Sequence, residues 1–182
     1  MLRLHLTLLG GVQARLESGA AVALPTRKAQ ALLAYLALPP GRAHPRDKLA
    51  ALLWGDTADE QARASLRQAL FALRKALPAG ALVSEGESLA LDTAAVEVDV
   101  GTFERRVGEG TPEALAAAEL YQGDLLAGLA VTEAPFEEWL LGERERLREL
   151  ALEGLAKLLA HQRRAGATEE AIQTGLRLLA RT

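Results

Sequence analysis

Apolar and polar side chains alternate along the first 24 residues, which is the pattern of half-buried strands. Gly10 and Gly11 interrupt the alternation, a second strand is predicted at 12–16, and a third is predicted around Val22 and Leu24. We therefore predict a small antiparallel sheet at the N-terminus. The apolar face of its first strand consists of Leu2, Leu4, Leu6 and Leu8.

From Thr26 onward the apolar spacing is helical, and it predicts three helices in succession. Thr26 is expected to cap the first helix, which ends before the proline-glycine turn at 39–41. Pro45 has a fixed φ that suits the first turn of the second helix, which ends near Trp54.

The predicted third helix and the segment after it complete the set of elements found in one known DNA-binding fold. Thr57 and Glu60 have the spacing of a capping box, in which each side chain binds a free amide at the start of a helix. That helix is predicted to reach about Leu77. Two short apolar runs around a polar centre then predict a β-hairpin at 81–91. A sheet, three helices and a hairpin make a winged helix, whose third helix reads the DNA major groove.

The second half of the chain has a helical pattern almost throughout, after a last strand-like run at 96–100. Residues 111–113 combine a cap residue, a first-turn proline and an acid, which favours a helix start. A long helix is predicted from about Pro135 to Arg164, and 168–170 is predicted to cap another. Helices spaced about 30 residues apart indicate helical hairpins. The predicted fold is an α+β winged helix followed by an all-α domain, mainly α overall.

Charge is distributed unevenly between the two predicted domains, 1–92 and 93–182. The first has 11 Lys and Arg against 8 Asp and Glu, a net charge of +3, and the second has 10 against 16, a net charge of −6. A mildly basic domain beside an acidic one favours contact with nucleic acid by the first domain alone.

Composition argues against enzymatic, metal-binding and membrane functions. The chain has no cysteine and only three scattered histidines, so neither thiol chemistry nor a metal cluster is indicated. Phosphate-loop, dinucleotide-binding and hydrolase motifs do not occur in the sequence. No apolar run has the length of a membrane span, and the N-terminus lacks a signal-peptide pattern. We predict a cytoplasmic protein that is not an enzyme, with no catalytic residue, cofactor, metal, membrane or small-molecule ligand.

The predicted third helix has one apolar face and one basic face. At about 100° per residue its leucines fall within about 60° of one another, as a core face requires, at Leu66, Leu70, Leu73 and Leu77. No acid occurs in 61–77, although a solvated helix usually mixes charges for pairing. Phosphates opposite this face explain its charge better than an ordinary solvated face of four basic residues does. The predicted DNA-binding residues are Arg63, Ala64, Arg67, Gln68, Phe71, Arg74 and Lys75.

These residue types match different parts of a DNA duplex. Gln68 has the amide that pairs with adenine through two hydrogen bonds, and Arg67 or Arg63 has the guanidinium fork that fits guanine. Phe71 is expected to touch a thymine methyl group. The two basic residues farther along the helix are expected to hold the phosphate backbone.

The tip of the predicted hairpin opposes this interpretation. Residues 84–88 include Glu85 and Glu87, whose carboxylates would repel phosphates. A second hypothesis is therefore an adaptor for protein interaction, in which the winged helix no longer binds DNA strongly.

Two stretches resemble the signature of bacterial SARP-type activators, the Streptomyces antibiotic regulatory proteins and their relatives. These are LAALLWGD at 49–56 and ARASLRQALFALRKAL at 62–77, and the runs at 98–103, 121–126 and 136–140 resemble motifs of the family's second domain. The family pairs an OmpR-type winged helix with a bacterial transcriptional activation domain, BTAD, built from tetratricopeptide-like helices. The resemblance covers essentially the whole chain.

The resemblance implies a transcriptional activator that binds direct repeats in promoters, often as a homodimer, and recruits RNA polymerase. Residues 63–75 would face double-stranded DNA. The hairpin departs from the family pattern, which usually has Gly-Tyr where this chain has Ser88 and Leu89. The loop that would face polymerase consists of Gly55, Asp56, Thr57 and Asp59.

The end of the chain leaves apolar positions without predicted cover, at Leu176, Leu178 and Leu179. A helical array needs a capping helix over such a face, so we expect a C-terminally truncated array or a homodimer. Larger members of the family add an ATPase, a cyclase-like or a repeat-rich sensor region after this point. The chain is therefore also interpreted as the N-terminal part of a larger multidomain sensor.

Overall fold

The computed structural model describes residues 3–182, so Leu2 of the predicted first strand lies outside the described residues. Across this range the chain forms small sheets and three helices up to residue 98 and helices thereafter, which confirms the predicted fold class. None of the helices in 3–182 combines the length and the apolar character that crossing a membrane requires.

The N-terminal sheet begins with three antiparallel strands, β1 (Leu4–Thr7), β2 (Gln13–Leu16) and β3 (Ala21–Val22), in the spatial order β3-β2-β1. Leu4 and Leu6 are buried, whereas the residues between and after them are exposed, as the alternation predicts. The apolar side of the sheet therefore faces the core.

Three helices follow the sheet: α1 (Arg27–Leu36), α2 (Arg46–Trp54) and α3 (Asp59–Ala76). A two-residue strand, β4 (His44–Pro45), lies immediately before α2. Thr26 caps α1 as predicted, because its hydroxyl accepts a hydrogen bond of 3.1 Å from the amide of Ala29. All three helices contact one another around a shared leucine-rich core.

The predicted helix starts of α2 and α3 were wrong in detail. Pro45 precedes α2 as a residue of β4 and does not lie in the first helical turn. Thr57 and Glu60 do not form a capping box: Ala58 is the N-cap residue of α3, which has no side-chain cap. The Thr57 hydroxyl instead donates to the carbonyl of Trp54 at 2.9 Å, so it satisfies an open carbonyl at the end of α2.

The predicted hairpin is present as β5 (Leu82–Glu85) and β6 (Ser88–Leu91). β6 also pairs with β4, with His44 opposite Leu89, so the wing is a three-stranded sheet in the order β4-β6-β5. This pairing places the start of α2 beside the wing.

The strand after the wing returns to the N-terminal sheet. β7 (Val96–Val98) pairs with β1 in parallel, with Leu4 opposite Val96. The predicted antiparallel pairing of the first three strands is confirmed, and β7 adds a fourth, parallel strand whose partner the sequence did not predict. Alternation along a strand reports which face is buried and carries no information on the direction of its partner.

Asp99 connects this sheet to the helical half of the chain. Its carboxylate accepts hydrogen bonds from the amides of Leu8 and Leu9, at 2.9 and 3.0 Å, and from the amide of Val100 at 2.8 Å. Burial raises the pKa of the Asp99 carboxyl, although these three amides act in the opposite direction. The side chain thus satisfies backbone donors where β1 ends.

The helical half begins with α4 (Asp99–Glu109), α5 (Pro112–Leu115) and a 3-10 helix (Ala116–Leu120). After an irregular segment come α6 (Ala134–Arg164) and α7 (Thr168–Arg181), which pack together as a helical hairpin. The predicted long helix is confirmed.

The two predicted caps of this half had different outcomes. Thr111 accepts a hydrogen bond of 3.2 Å from the amide of Ala114 and caps α5 as expected. The cap at Thr168 was wrong, because Ala167 is the N-cap residue of α7 and the Thr168 hydroxyl donates to the carbonyl of Gly166.

Side chains of α6 and of the residue before it pack against the three-helix unit. The Trp139 ring meets the ring of Tyr35 from α1 edge-on, with centroids 4.9 Å apart. Lys28 of α1 donates to the buried carboxylate of Glu133 at 2.7 Å. The helical half therefore packs against both α1 and α2.

Candidate nucleic-acid interface

The inner face of α3 anchors it in the core. All four predicted leucines are buried, with exposed fractions of 6% or less, and the helix contacts both α1 and α2. Leucine side chains that are buried to this extent fix the rotation of the helix about its axis. This rotation determines which residues point outward. The four leucines are Leu66, Leu70, Leu73 and Leu77.

The outer face of α3 brings together the residues that the sequence singled out. At about 100° per residue they fall within about 80° of Phe71: Ala64, Gln68 and Lys75 lie opposite the leucines, and the three arginines lie on one flank. Six of them are exposed, and Ala64 is half-buried. We call this set the outer face, and its members are Arg63, Ala64, Arg67, Gln68, Phe71, Arg74 and Lys75.

Phe71 lies at the centre of this basic surface with 73% of its area exposed. Within residues 3–110 it is the one large apolar side chain that is mostly exposed. A phenyl ring held in water among cations gains free energy when a partner covers it. The position is therefore suited to contact with an apolar group such as a base methyl.

The central donors of the outer face are unoccupied. Within the described range 3–182, no hydrogen bond or ion pair engages the side chains of Arg67, Gln68 or Lys75. Their donor groups require no rearrangement of the protein before they meet a ligand.

Arg63 has a partner on the neighbouring helix. Its guanidinium contacts the carboxylate of Asp47 at 3.0 Å, and both side chains are more than half exposed. An exposed pair of this kind contributes little stability, so a phosphate can replace the carboxylate at small cost.

Arg74 and Arg46 converge on one hydroxyl of the wing. Ser84 accepts hydrogen bonds from Arg74 at 2.8 Å and from Arg46 at 3.2 Å. Neither guanidinium has a carboxylate within 4.0 Å among residues 3–182. Two cations beside a neutral hydroxyl form a position for an anionic oxygen, and the Ser84 O–H can donate to the same oxygen.

Arg46 was missed in the sequence analysis, which assigned the backbone contacts to Arg74 and Lys75. It is the first residue of α2, and the β4–β6 pairing is what places it beside the wing. The sequence shows a basic residue directly after Pro45, but only the long-range pairing of β4 with β6 brings it into the candidate interface.

The wing tip is acidic, as predicted. Glu85 and Glu87 are exposed on either side of Gly86, whose φ of 57° lies in the left-handed region that favours glycine. No ion pair neutralises these two carboxylates within the part of the chain that the structure describes. The tip therefore repels phosphate, and attraction comes from the base of the wing.

His44 packs beneath this interface and carries no charge to it. The imidazole is 3% exposed, its ring lies 4.9 Å from Tyr35, and Nε2 has no partner among residues 3–182. Burial, together with the charges of Arg42 and Lys48, lowers the pKa of His44. The ring is thus neutral near pH 7 and has a packing role.

The comparison with family models covers the helical half. The model described as "Bacterial transcriptional activator domain", BTAD, matches residues 91–182, which is half of the chain. The chain belongs to the BTAD family. This membership confirms the SARP-type resemblance that the sequence motifs indicated.

A solved structure resembles the BTAD chain over both halves. It is Mycobacterium tuberculosis EmbR in complex with a low affinity phosphopeptide, with a TM-score of 0.64 and 21% sequence identity. The match covers 98% of this chain and 59% of the EmbR chain, so this chain spans about three fifths of that protein. No curated protein matches the sequence. The family whose model matches is one of bacterial transcriptional activators.

Two of the motifs that resemble the family's second domain connect the two halves of the chain. The run at 98–103 contains Asp99, which binds the end of β1. The run at 121–126 meets the end of β1 through its backbone: the amide of Leu126 donates to the carbonyl of Leu8 at 2.9 Å, and the amide of Gly10 donates to that of Asp124 at 3.1 Å. Within the helical half, the Asp124 carboxylate accepts hydrogen bonds from Tyr121 at 3.0 Å and from Arg148 at 3.2 Å. Burial alone would raise the pKa of Asp124, but these two hydrogen bonds and the positive charges of Arg148 and Arg144 together lower the pKa.

The predicted polymerase-facing loop joins α2 to α3. Its residues are exposed, and all of them except Asp56 border a shallow cavity of about 230 Å³ between the two helices. Gly55 is required there, because a Cβ at this position would lie 2.6 Å from the carbonyl oxygen of Ala51. The loop residues are Gly55, Asp56, Thr57 and Asp59.

Proposed function

We propose that the chain is a sequence-specific DNA-binding transcriptional regulator in which residues 1–92 bind promoter DNA through α3. The observation that carries this proposal is the outer face of α3, where Arg67 and Gln68, which no side chain in 3–182 engages, flank an exposed Phe71. A helix with such a face fits the major groove, where arginine, glutamine and apolar groups each have a base-edge partner.

The phosphate contacts are assigned to the rim of this surface. Arg46, Arg74 and Ser84 form one backbone clamp between α2, α3 and the wing, and Lys75 forms another at the end of α3. Such contacts set the register of the protein on the duplex while the central residues read sequence.

Residues 93–182 are proposed to couple the bound promoter to RNA polymerase, so that the protein acts as an activator in the cytoplasm. BTAD membership supports this role. The loop that includes Asp56 is the proposed polymerase contact, because it lies at the α2–α3 junction and leaves the outer face free for DNA. One α3 fits one major-groove segment, which favours two copies on a direct repeat, as in the homodimers that the SARP resemblance implies.

The test is the binding of the purified chain to fluorescent duplexes from its own genome, beginning with its own upstream region, at several salt concentrations. We expect a preferred site with nanomolar affinity and a negative slope of log affinity against log salt. Arg46→Ala should weaken binding to every duplex alike and reduce the magnitude of that slope by about one unit. A slope unchanged by Arg46→Ala would contradict the clamp.

A protein-interaction adaptor is the second candidate, favoured by the unneutralised Glu85 and Glu87 at the wing tip. It predicts weak binding that is the same for every duplex, together with partner binding that is unaffected when Arg67 and Gln68 are both replaced by alanine.

A further inference from the structure

A groove of about 530 Å³ lies in the helical half, away from the outer face of α3. One wall is formed by α5 and the 3-10 helix, the other by α7, and the last turns of α6 form the floor. This volume is in the range of sites that hold several side chains of a ligand. DNA recognition through α3 makes no use of it.

The groove is strongly acidic. Four carboxylates line it against a single guanidinium, that of Arg177, which reaches across from α7 and is paired with Glu119. Helix N-termini at the groove contribute at most about half a positive charge each, so the local potential stays negative. The four acids are Glu113, Glu119, Glu169 and Glu170.

Two polar side chains in the groove lack hydrogen-bond partners. Thr174 is only 2% exposed and lines the groove, yet no residue in 3–182 bonds to its hydroxyl. The Oε1 atom of Gln162 is buried without a donor within the same range. Buried polar groups normally have partners, so both atoms leave hydrogen-bonding capacity unused: the amide oxygen can accept, and the hydroxyl can accept or donate.

We propose that this groove binds a lysine- or arginine-bearing peptide segment of another protein. Ammonium and guanidinium groups are donors without acceptors, and they match both the carboxylates and the hydroxyl oxygen of Thr174, which lines the groove. The apolar floor at Leu158 and the wall at Ala116 suit the methylene stems of such side chains. A nucleic acid, which is polyanionic, is repelled by the same surface.

The test uses two fluorescein-labelled hexapeptides, one with three basic residues around a leucine and one with glutamate in place of each basic residue. We expect the chain to bind only the basic peptide, with backbone amide NMR shifts confined to α5, the 3-10 helix, the end of α6 and α7. The double variant Glu169→Gln/Glu170→Gln should weaken binding about tenfold, since each exposed pair contributes modestly. Thr174→Val, which keeps the side-chain shape, should weaken binding about threefold.

The matched control is Glu145→Gln/Glu149→Gln, which makes the same charge change on the exposed side of α6, roughly 20 Å from the groove floor. It should leave the affinity unchanged, and every variant should keep the DNA affinity of the parent chain. Equal binding of the acidic peptide would overturn the proposal. So would amide shifts on other elements, or an affinity that Glu169→Gln/Glu170→Gln does not alter.

Discussion

Arg67→Ala is expected to weaken binding to the preferred duplex by about 10- to 100-fold, because a bidentate base contact contributes about 1–3 kcal/mol of discrimination. Arg67 lies near the middle of the outer face and engages no other residue within 3–182, so its removal leaves no unpaired partner in the protein. Binding to unrelated duplexes should weaken much less. Fluorescence anisotropy with the preferred and a scrambled duplex measures both changes.

Arg105→Ala is the control for this substitution. Arg105 is an exposed arginine on α4, so the variant makes the same change in net charge away from α3. It should keep the affinity of the parent chain for both duplexes. Equal losses from Arg67→Ala and Arg105→Ala would show that net charge alone determines binding, and the proposed orientation of α3 would then be wrong.

Asp99→Ala is expected to lower the free energy of unfolding by about 2–5 kcal/mol. The substitution leaves the amides of Leu8 and Leu9 without their acceptor, and each orphaned buried donor costs about 1–3 kcal/mol. Because Asp99 joins the end of β1 to the start of α4, the loss should destabilise both halves together. Urea unfolding followed by circular dichroism and by tryptophan fluorescence measures this.

Two further variants sharpen the Asp99 experiment. Asp99→Asn keeps one acceptor oxygen and should lose less stability than Asp99→Ala. Glu17→Ala, at an exposed position, should change the free energy of unfolding by no more than about 0.5 kcal/mol. A loss below 1 kcal/mol for Asp99→Ala, or two separate unfolding transitions, would contradict the view that this carboxylate binds the halves into one cooperative unit.

Much of the fold follows from local patterns. The leucine stripe of α3, the alternation of β1 and the two apolar runs of the wing each report which side of an element is buried. Burial in the structure agrees with these patterns, from Leu4 and Leu6 in β1 to Leu66 and Leu70 in α3.

Features that depend on distant partners could not be predicted in this way. β7 pairs in parallel with β1 across about ninety residues, and nothing in its three residues indicates that partner. Thr57 and Thr168 have the composition of helix caps, but nearby carbonyls accept from their hydroxyls, and in both helices the N-cap residue is an alanine.

The same distinction between local patterns and long-range contacts applies to the residues of the candidate interface. All residues of the outer face lie on one helix, so the helical period was enough to predict that Arg67, Gln68 and Phe71 lie close together. The clamp joins three elements, and so Arg74 was predicted from its own helix whereas Arg46, on another helix, was not. The partners Asp47 and Ser84 emerged only when α2 and the wing were seen beside α3.

Selection of bound duplexes from a random-sequence pool tests most directly the claim that α3 reads base edges. The parent chain should enrich one short motif. Gln68→Ala should lose preference at one or two positions of that motif, and Lys75→Ala should bind more weakly while retaining every preference. Enrichment of no motif, or of a motif that Gln68→Ala leaves intact, would contradict the account.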